Sequence, residues 1–261
     1  MNRLSKIPLY LLLPRTHGRS RRGSNAGFTV VSRLGVLCAL ACFLMPPLLL
    51  ATSGQTNQAS CETPLIQAIR WRKWEEMRRL IRTGADLNER ACPEGNSPLF
   101  EALGLDSSIA KELIEAGADP NGANAGEGTP IMAASFYCEE EMVLLLLRKG
   151  AHINATDAGG FTALTQASQE CTDGGIIGLL IRAGASVNAR TKGGETPLSV
   201  AAFSGNESAV FQLVCAGADI KAETTDGETP LMVAENRKVG RKPSHDRIAK
   251  FLHEIEILNV D

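Results

Sequence analysis

Residues 196–219 read TPLSVAAFSGNESAVFQLVCAGAD, and the order of residue types in this stretch prescribes two short helices and a stop. The Thr196 side chain can accept from the first free backbone N–H groups of a helix, and Pro197 behind it has no N–H to lose and a φ already near the helical value. Val210, Leu213 and Val214 then recur at helical spacing, so a second helix follows the first. Gly217 ends it, because glycine takes the left-handed conformation that closes helices.

The same signals return along the chain. The opening marker occurs six times, as Thr63-Pro64-Leu65, Ser97-Pro98-Leu99, Thr129-Pro130-Ile131, Thr162-Ala163-Leu164, Thr196-Pro197-Leu198 and Thr229-Pro230-Leu231. The closing Gly-Ala stands at Gly84, Gly117, Gly150, Gly184 and Gly217, at intervals of 33, 33, 34 and 33 residues. Each unit is therefore helix, turn, helix, loop, and a pair of helices this short buries its apolar face only by stacking on its neighbours. Aromatic residues are scarce at 5%, while Ala, Leu and Gly are plentiful, a balance that favours closely packed helices over sheets.

Thr-Pro-Leu, then Ala-Ala at Ala133-Ala134 and Ala201-Ala202, then Gly-Ala-Asp with Asn88, Asn121, Asn154 or Asn188 following, resembles the ankyrin repeat. The resemblance implies an all-α solenoid of about six helix-turn-helix units with short β-hairpin fingers. The units are about 61–90, 91–121, 122–154, 155–188, 189–221 and 222–259, in a domain over 61–261. It also implies a concave face lined by fingers and first helices, and a role in binding a protein. Three departures stand out. The His that commonly follows Thr-Pro-Leu is replaced by Ile66, Phe100, Met132, Thr165, Ser199 and Met232. Unit two is one residue short near Gly104 to Ser108 and unit four one residue long near Cys171 to Gly175, so those two turns should be irregular. The last unit carries a polar insert from Arg237 to Ser244 and then a charged helix, as expected of a solvated terminal cap in which His245 and His253 lie at the surface.

In that family the seventh and eighth residues after the marker point into the groove. Here Trp71, Leu105, Phe136, Tyr137 and Phe203 form an apolar row at those positions, joined from the fingers by Phe161 and Glu195. Aromatic side chains aligned on one face are the material of binding hot spots, although some of these rings would equally pack between neighbouring helices. Trp74 falls on the inner side of its unit with Met77, Leu80 and Ile81, and core is the expected role. The resemblance thus implies an adaptor or inhibitor holding a protein partner in its groove, the alternative being a chaperone-like, protective or immunity partner of a secreted or envelope enzyme.

The first sixty residues read differently. They hold seven Lys or Arg and no Asp or Glu, and the run LGVLCALACFLMPPLLLA from Leu34 to Ala51 is apolar. A basic start, an apolar middle and small residues at the exit describe a secretory signal, with cleavage expected after Ser53. Eighteen apolar residues are also about enough to cross a bilayer as an anchor, although Pro46 and Pro47 disfavour an unbroken helix. Residues 1–53 are thus a signal peptide or anchor and 54–60 a linker. The repeat domain is placed outside the cytoplasm, periplasmic or secreted, or tethered to the membrane through the N-terminal segment alone. The short leader and lack of a further domain point to a bacterium, and a monomer is expected.

Because the N-terminal segment takes seven of the 27 basic residues, 20 face 29 acidic ones from Cys61 onward. That balance speaks against binding a phosphate backbone, so nucleic acid is excluded as a partner. Cys138 and Cys171 each stand nine residues after their marker and so lie side by side on successive units, a plausible disulfide in an oxidising compartment. Cys61 and Cys92, both in loops on the finger side, are a second candidate pair, leaving Cys215 as a free thiol. No cysteine pair has metal-site spacing, no nucleophile stands with a base, and Gly159-Gly160 and Gly193-Gly194 lack the Lys-Ser or Lys-Thr of a phosphate loop. No catalytic residue, metal or cofactor is implied. Asn154-Ala155-Thr156 and Asn206-Glu207-Ser208 fit the glycosylation pattern.

Overall fold

The computed structural model describes residues 63–90, 95–124, 126, 128–236 and 243–258. The N-terminal segment and the Cys61–Cys92 pair expected from the sequence lie outside these residues. Twelve helices are present among the described residues, two to a unit: α1 (Pro64–Arg70) and α2 (Trp74–Arg82), α3 (Pro98–Leu103) and α4 (Ser107–Glu115), α5 (Pro130–Phe136) and α6 (Glu140–Arg148), α7 (Ala163–Glu170) and α8 (Gly175–Arg182), α9 (Pro197–Ser204) and α10 (Glu207–Cys215), α11 (Pro230–Glu235) and α12 (Pro243–Leu258). First helices pack on first helices and, from α4 onward, second helices on second helices, so one apolar core runs the length of the stack.

The markers open the inner helices as their chemistry requires. Thr63, Ser97, Thr162, Thr196 and Thr229 are extended cap residues whose side-chain oxygens accept from the backbone N–H three residues on, at 3.2 to 3.3 Å. The closing glycines are all left-handed, from +85° at Gly217 to +102° at Gly117. The alanine after each turns its N–H back to the carbonyl five residues earlier, as in Ala118 to Leu113 at 2.9 Å. The Asn that follows joins one unit to the next. Asn154 Oδ1 accepts from Ser186 N–H at 2.7 Å while its Nδ2 donates to the Gly184 carbonyl at 3.1 Å. Asn121 serves His152 and Gly150 in the same way, and Asn188 serves Asp219 and Gly217. Asn88 accepts from Asp119 N–H at 2.8 Å.

The fingers are reduced relative to the hairpins expected, and no strand is present among the described residues. Asp157, Thr191 and Thr224 each donate to the carbonyl four residues on, closing a single turn over Gly160, Gly194 and Gly227. Successive fingers are then tied through their tips by Ala158 N–H to Gly126 O, Lys192 N–H to Gly159 O and Thr225 N–H to Gly193 O, at 2.8 to 3.0 Å. Each finger is too short for a ladder of its own, so its backbone groups are satisfied partly by its neighbour.

The turns between the two helices of a unit explain the length changes. The ninth residue after the marker is left-handed in units one, three and five: Arg72 at φ 54°, Cys138 at 58° and Gly205 at 72°. The next N–H returns to the first helix in each, through Lys73 to Ala68 O, Glu139 to Ala134 O and Asn206 to Ala201 O. In the shortened unit two the ninth residue is Asp106, which is extended and caps α4 through Ser108 N–H at 2.9 Å. In the lengthened unit four it is Cys171, also extended, and the left-handed residue moves to Gly174. Both turns are irregular, as their lengths demand.

The terminal cap corrects one expectation. His245 is buried at 1% exposure, because α12 starts early enough to press it onto the backbone of Gly205, where a Cβ would meet Ser244 Oγ at 2.6 Å and the His245 ring at 2.8 Å. Its Nε2 lies 3.0 Å from the Phe203 carbonyl, which can only accept, so this nitrogen carries the proton.

Two stability comparisons follow from this geometry, both readable in urea melts. Asn154→Ala, which removes a donor and an acceptor between units, should cost about 1–2 kcal/mol and more than Asn88→Ala, which removes an acceptor. Arg72→Gly relieves a left-handed L residue and should gain about 0.5–1 kcal/mol, while Gly205→Ala, strained and crowded at the aligned position, should lose about 2–3 kcal/mol.

Candidate functional site

The C-terminal ends of the first helices and the turns after them form one edge of the stack, and the expected apolar row lies along it. Trp71 caps α1 and is 62% exposed; Tyr137 caps α5 and is 47% exposed. Leu105, in the shortened turn of unit two, and Phe203, on α9, are half-buried and pack against the core. Phe136, the last residue of α5, is also half-buried. The row thus divides into Trp71 and Tyr137, which offer surface, and Leu105, Phe136 and Phe203, which support it.

Local contacts hold the Tyr137 ring, and an ion pair stands beside Trp71. Phe136 and Tyr137 meet edge to face, with centroids 5.3 Å apart and planes at 87°. The Tyr137 hydroxyl reaches back over unit two, where a methyl at Gly104 would sit 3.6 Å from it. Partial desolvation, and then the Glu139 carboxylate, raise the Tyr137 phenol above its ordinary range, so it keeps its proton at neutral pH and remains a hydrogen-bond donor. Beside Trp71, the Arg70 guanidinium grips Glu101 Oε1 with two nitrogens, at 2.6 and 3.2 Å, and Asn96 Nδ2 donates to the same oxygen at 3.1 Å.

The two finger residues are engaged within their own fingers instead. Phe161 N–H donates to Asp157 Oδ1 at 2.8 Å and its ring lies against Gly159. The Glu195 carboxylate accepts from Thr191 Oγ1 at 2.7 Å. Trp74 packs against the core with Leu80 and Ile81, beside fully buried Met77.

Cys138 and Cys171 are joined by a disulfide with Cα atoms 5.6 Å apart, closer than stacked helices normally come. The extended backbone at Cys171, which the additional residue of unit four permits, brings the two turns within reach. The bridge follows Tyr137 directly and so fixes the turn that displays it. Cys215 is free and exposed on α10. Beside the bridge, Asn206 donates to the carbonyls of Ser168 and Cys171 at 3.1 and 2.7 Å and accepts from Ala209 N–H at 3.1 Å. Asn206 is 3% exposed and the Asn154 amide is occupied between units, so in the folded chain both glycosylation patterns mark structural asparagines.

Arg72, Gly104 and His245 are absent from the row read off the sequence. Aligning the units on their markers places Arg72 with Cys138 and Gly205, a register that flags an unusual residue in a tight turn. No such signal exists for Gly104, whose importance comes from a side chain one unit away.

Residues 106–191 and 164–261 match a family model described as ankyrin repeats (3 copies). No curated protein matches the chain.

Replacing Cys138 and Cys171 together by Ala should lower stability by about 2–4 kcal/mol without unfolding the stack, since the bridge closes a loop of 33 residues. Intact mass before and after reduction gives an independent check, as each bridge adds two hydrogens when it opens.

Proposed function

The chain belongs to the ankyrin-repeat family, and from that premise we propose that it is an exported adaptor or inhibitor that holds a protein partner along its concave edge. Ankyrin repeats are in general protein–protein interaction modules, and they bind rather than catalyse. The observation that carries the groove reading is the pair of exposed aromatics, Trp71 and Tyr137, on a surface whose other apolar members are packed beneath. Large rings left in water on this edge, where the neighbouring apolar residues are half-buried, have surface to give to a partner. Leu105, Phe136 and Phe203 shape the floor, and Phe161 and Glu195 stand at the finger side as the rim. Export is supported by the Cys138–Cys171 bridge, because disulfides persist in oxidising compartments, and by the basic-then-apolar order of residues 1–53. No helix among the described residues is long and apolar enough to cross a membrane.

The groove reading is tested by pull-down from an envelope extract of the native host. Tyr137→Glu and Trp71→Glu should each abolish recovery of a stoichiometric partner while moving the melting temperature by less than about 3 °C. Phe203→Glu, which places a charge against the core, should instead lose several degrees. Partner recovery undiminished by both exposed-ring substitutions would remove the groove from consideration.

A further inference from the structure

Unit one departs from the rest of the stack in charge. Residues 63–90 hold seven Lys or Arg against four Asp or Glu, although acidic residues dominate the chain from Cys61 onward. Two of these cations stand beside Trp71 at the groove. Arg72 and Lys73 are exposed, and neither has a hydrogen bond or ion pair from its side chain among the described residues. The acids near them make their hydrogen bonds elsewhere. Asp106, which feels Arg72, accepts from Ser108 N–H at 2.9 Å and Ser108 Oγ at 2.6 Å. Glu76, which feels Lys73, is gripped by two nitrogens of Arg79 at 2.6 and 2.8 Å.

The backbone at Arg72 adds a second observation. Its left-handed φ of 54° is strained for any residue with a side chain, and glycine occupies the aligned position of unit five. Cys138 is the other non-glycine residue there, and its side chain is committed to the disulfide. Arg72 holds the same strained conformation, is exposed, and its side chain makes no hydrogen bond or ion pair among the described residues.

The apolar surface beside it has a definite shape. Trp71 and Tyr137 occupy the same position two units apart, with Leu105 at that position between them. Gly104 leaves a notch under the Tyr137 hydroxyl that a side chain at this position would fill.

We propose that this end of the groove takes a protein segment in which an aromatic or large aliphatic residue stands next to carboxylates. The apolar side chain seats among Trp71, Leu105 and Tyr137, and the carboxylates meet Arg72 and Lys73. The proposal rests on the groove reading above and adds the chemistry of the partner. Carboxylates complement two exposed cations whose side chains make no hydrogen bond or ion pair among the described residues, and a guanidinium takes a carboxylate with two parallel hydrogen bonds.

The test is selection of a random peptide display library on the full chain, followed by fluorescence polarisation with the most enriched peptide and its Glu→Gln and Asp→Asn form. Enriched peptides should combine Phe, Trp or Leu with adjacent Asp or Glu. The double variant Arg72→Gly, Lys73→Ser should weaken binding about tenfold, as should neutralising the peptide, while the double variant Arg148→Ser, Lys149→Ser, a charge-matched change at the end of α6, leaves it unaltered. Arg72→Gly alone should melt at or above the parent temperature, so loss of binding is not loss of fold. Enriched peptides without carboxylates, or binding indifferent to the double variant, overturn the proposal. If such peptides still lose binding on Tyr137→Glu, the groove reading survives; peptides that ignore that change too, or a library that yields none, overturn both.

Discussion

Asparagine amides at the ends of units two, three and four set the register of the stack. Asn121, Asn154 and Asn188 each accept from a backbone N–H of the following unit and donate to the carbonyl of its closing glycine. Aspartate lacks the donor and glutamine is a methylene too long, so the residue type is dictated by having both functions at one reach. These bonds lie at the base of the fingers, at the opposite end of each unit from the turn that joins its helices. The joining turn is consequently free to vary, and units two and four change it by one residue in opposite directions while the register holds. The groove edge is built from that variable end, which is where a repeat scaffold acquires its individual surface.

The variable end still has to satisfy the carbonyls left open where the inner helices stop. A left-handed ninth residue does so in units one, three and five by returning the next N–H to the helix. The following unit adds further partners for units four and five. Asn206 of unit five covers two carbonyls of unit four, and His245 of unit six covers the Phe203 carbonyl of unit five. These buried polar contacts, each worth about 0.5–1.5 kcal/mol net, continue the line of stabilisation that the disulfide begins between units three and four. They also explain why a histidine in a polar-looking cap is buried. The ring lies against Gly205, whose missing side chain leaves the space that it occupies.

What could be read from the chain was therefore uneven for a physical reason. Thr-Pro-Leu and Gly-Ala act on the backbone within a few residues of themselves, so helix starts and stops are visible in the letters. The neighbouring positions of Cys138 and Cys171 were also legible, because a repeat turns equal spacing into proximity. Burial of His245, the reach of Tyr137 over Gly104 and the exposure of Arg72 and Lys73 depend on how neighbouring side chains pack. No local pattern encodes those. The division of the apolar row into two exposed and three half-buried members is open in the sequence for the same reason. Trp71 and Tyr137 sit on cap residues that project past the helix, whereas Phe203 lies within α9 and turns toward the core.

The proposed export and the proposed groove meet on a single turn. Tyr137 precedes the bridged Cys138, so the covalent bond that an oxidising compartment permits also restrains the residue offered to a partner. Restraint of this kind lowers the ordering cost of association, because the ring and its turn lose less freedom when the partner arrives. The edge-to-face contact with Phe136 and the passage over Gly104 restrict the same ring from two further sides. At the other end of the apolar row, Trp71 is held only at the end of α1 and stays the more exposed of the two. A partner that engages both rings would then meet a rigid anchor at unit three and an adaptable one at unit one. The cations beside the adaptable anchor act over a longer range than apolar contact, so the orientation of such a partner would be guided first at unit one and fixed afterwards at unit three.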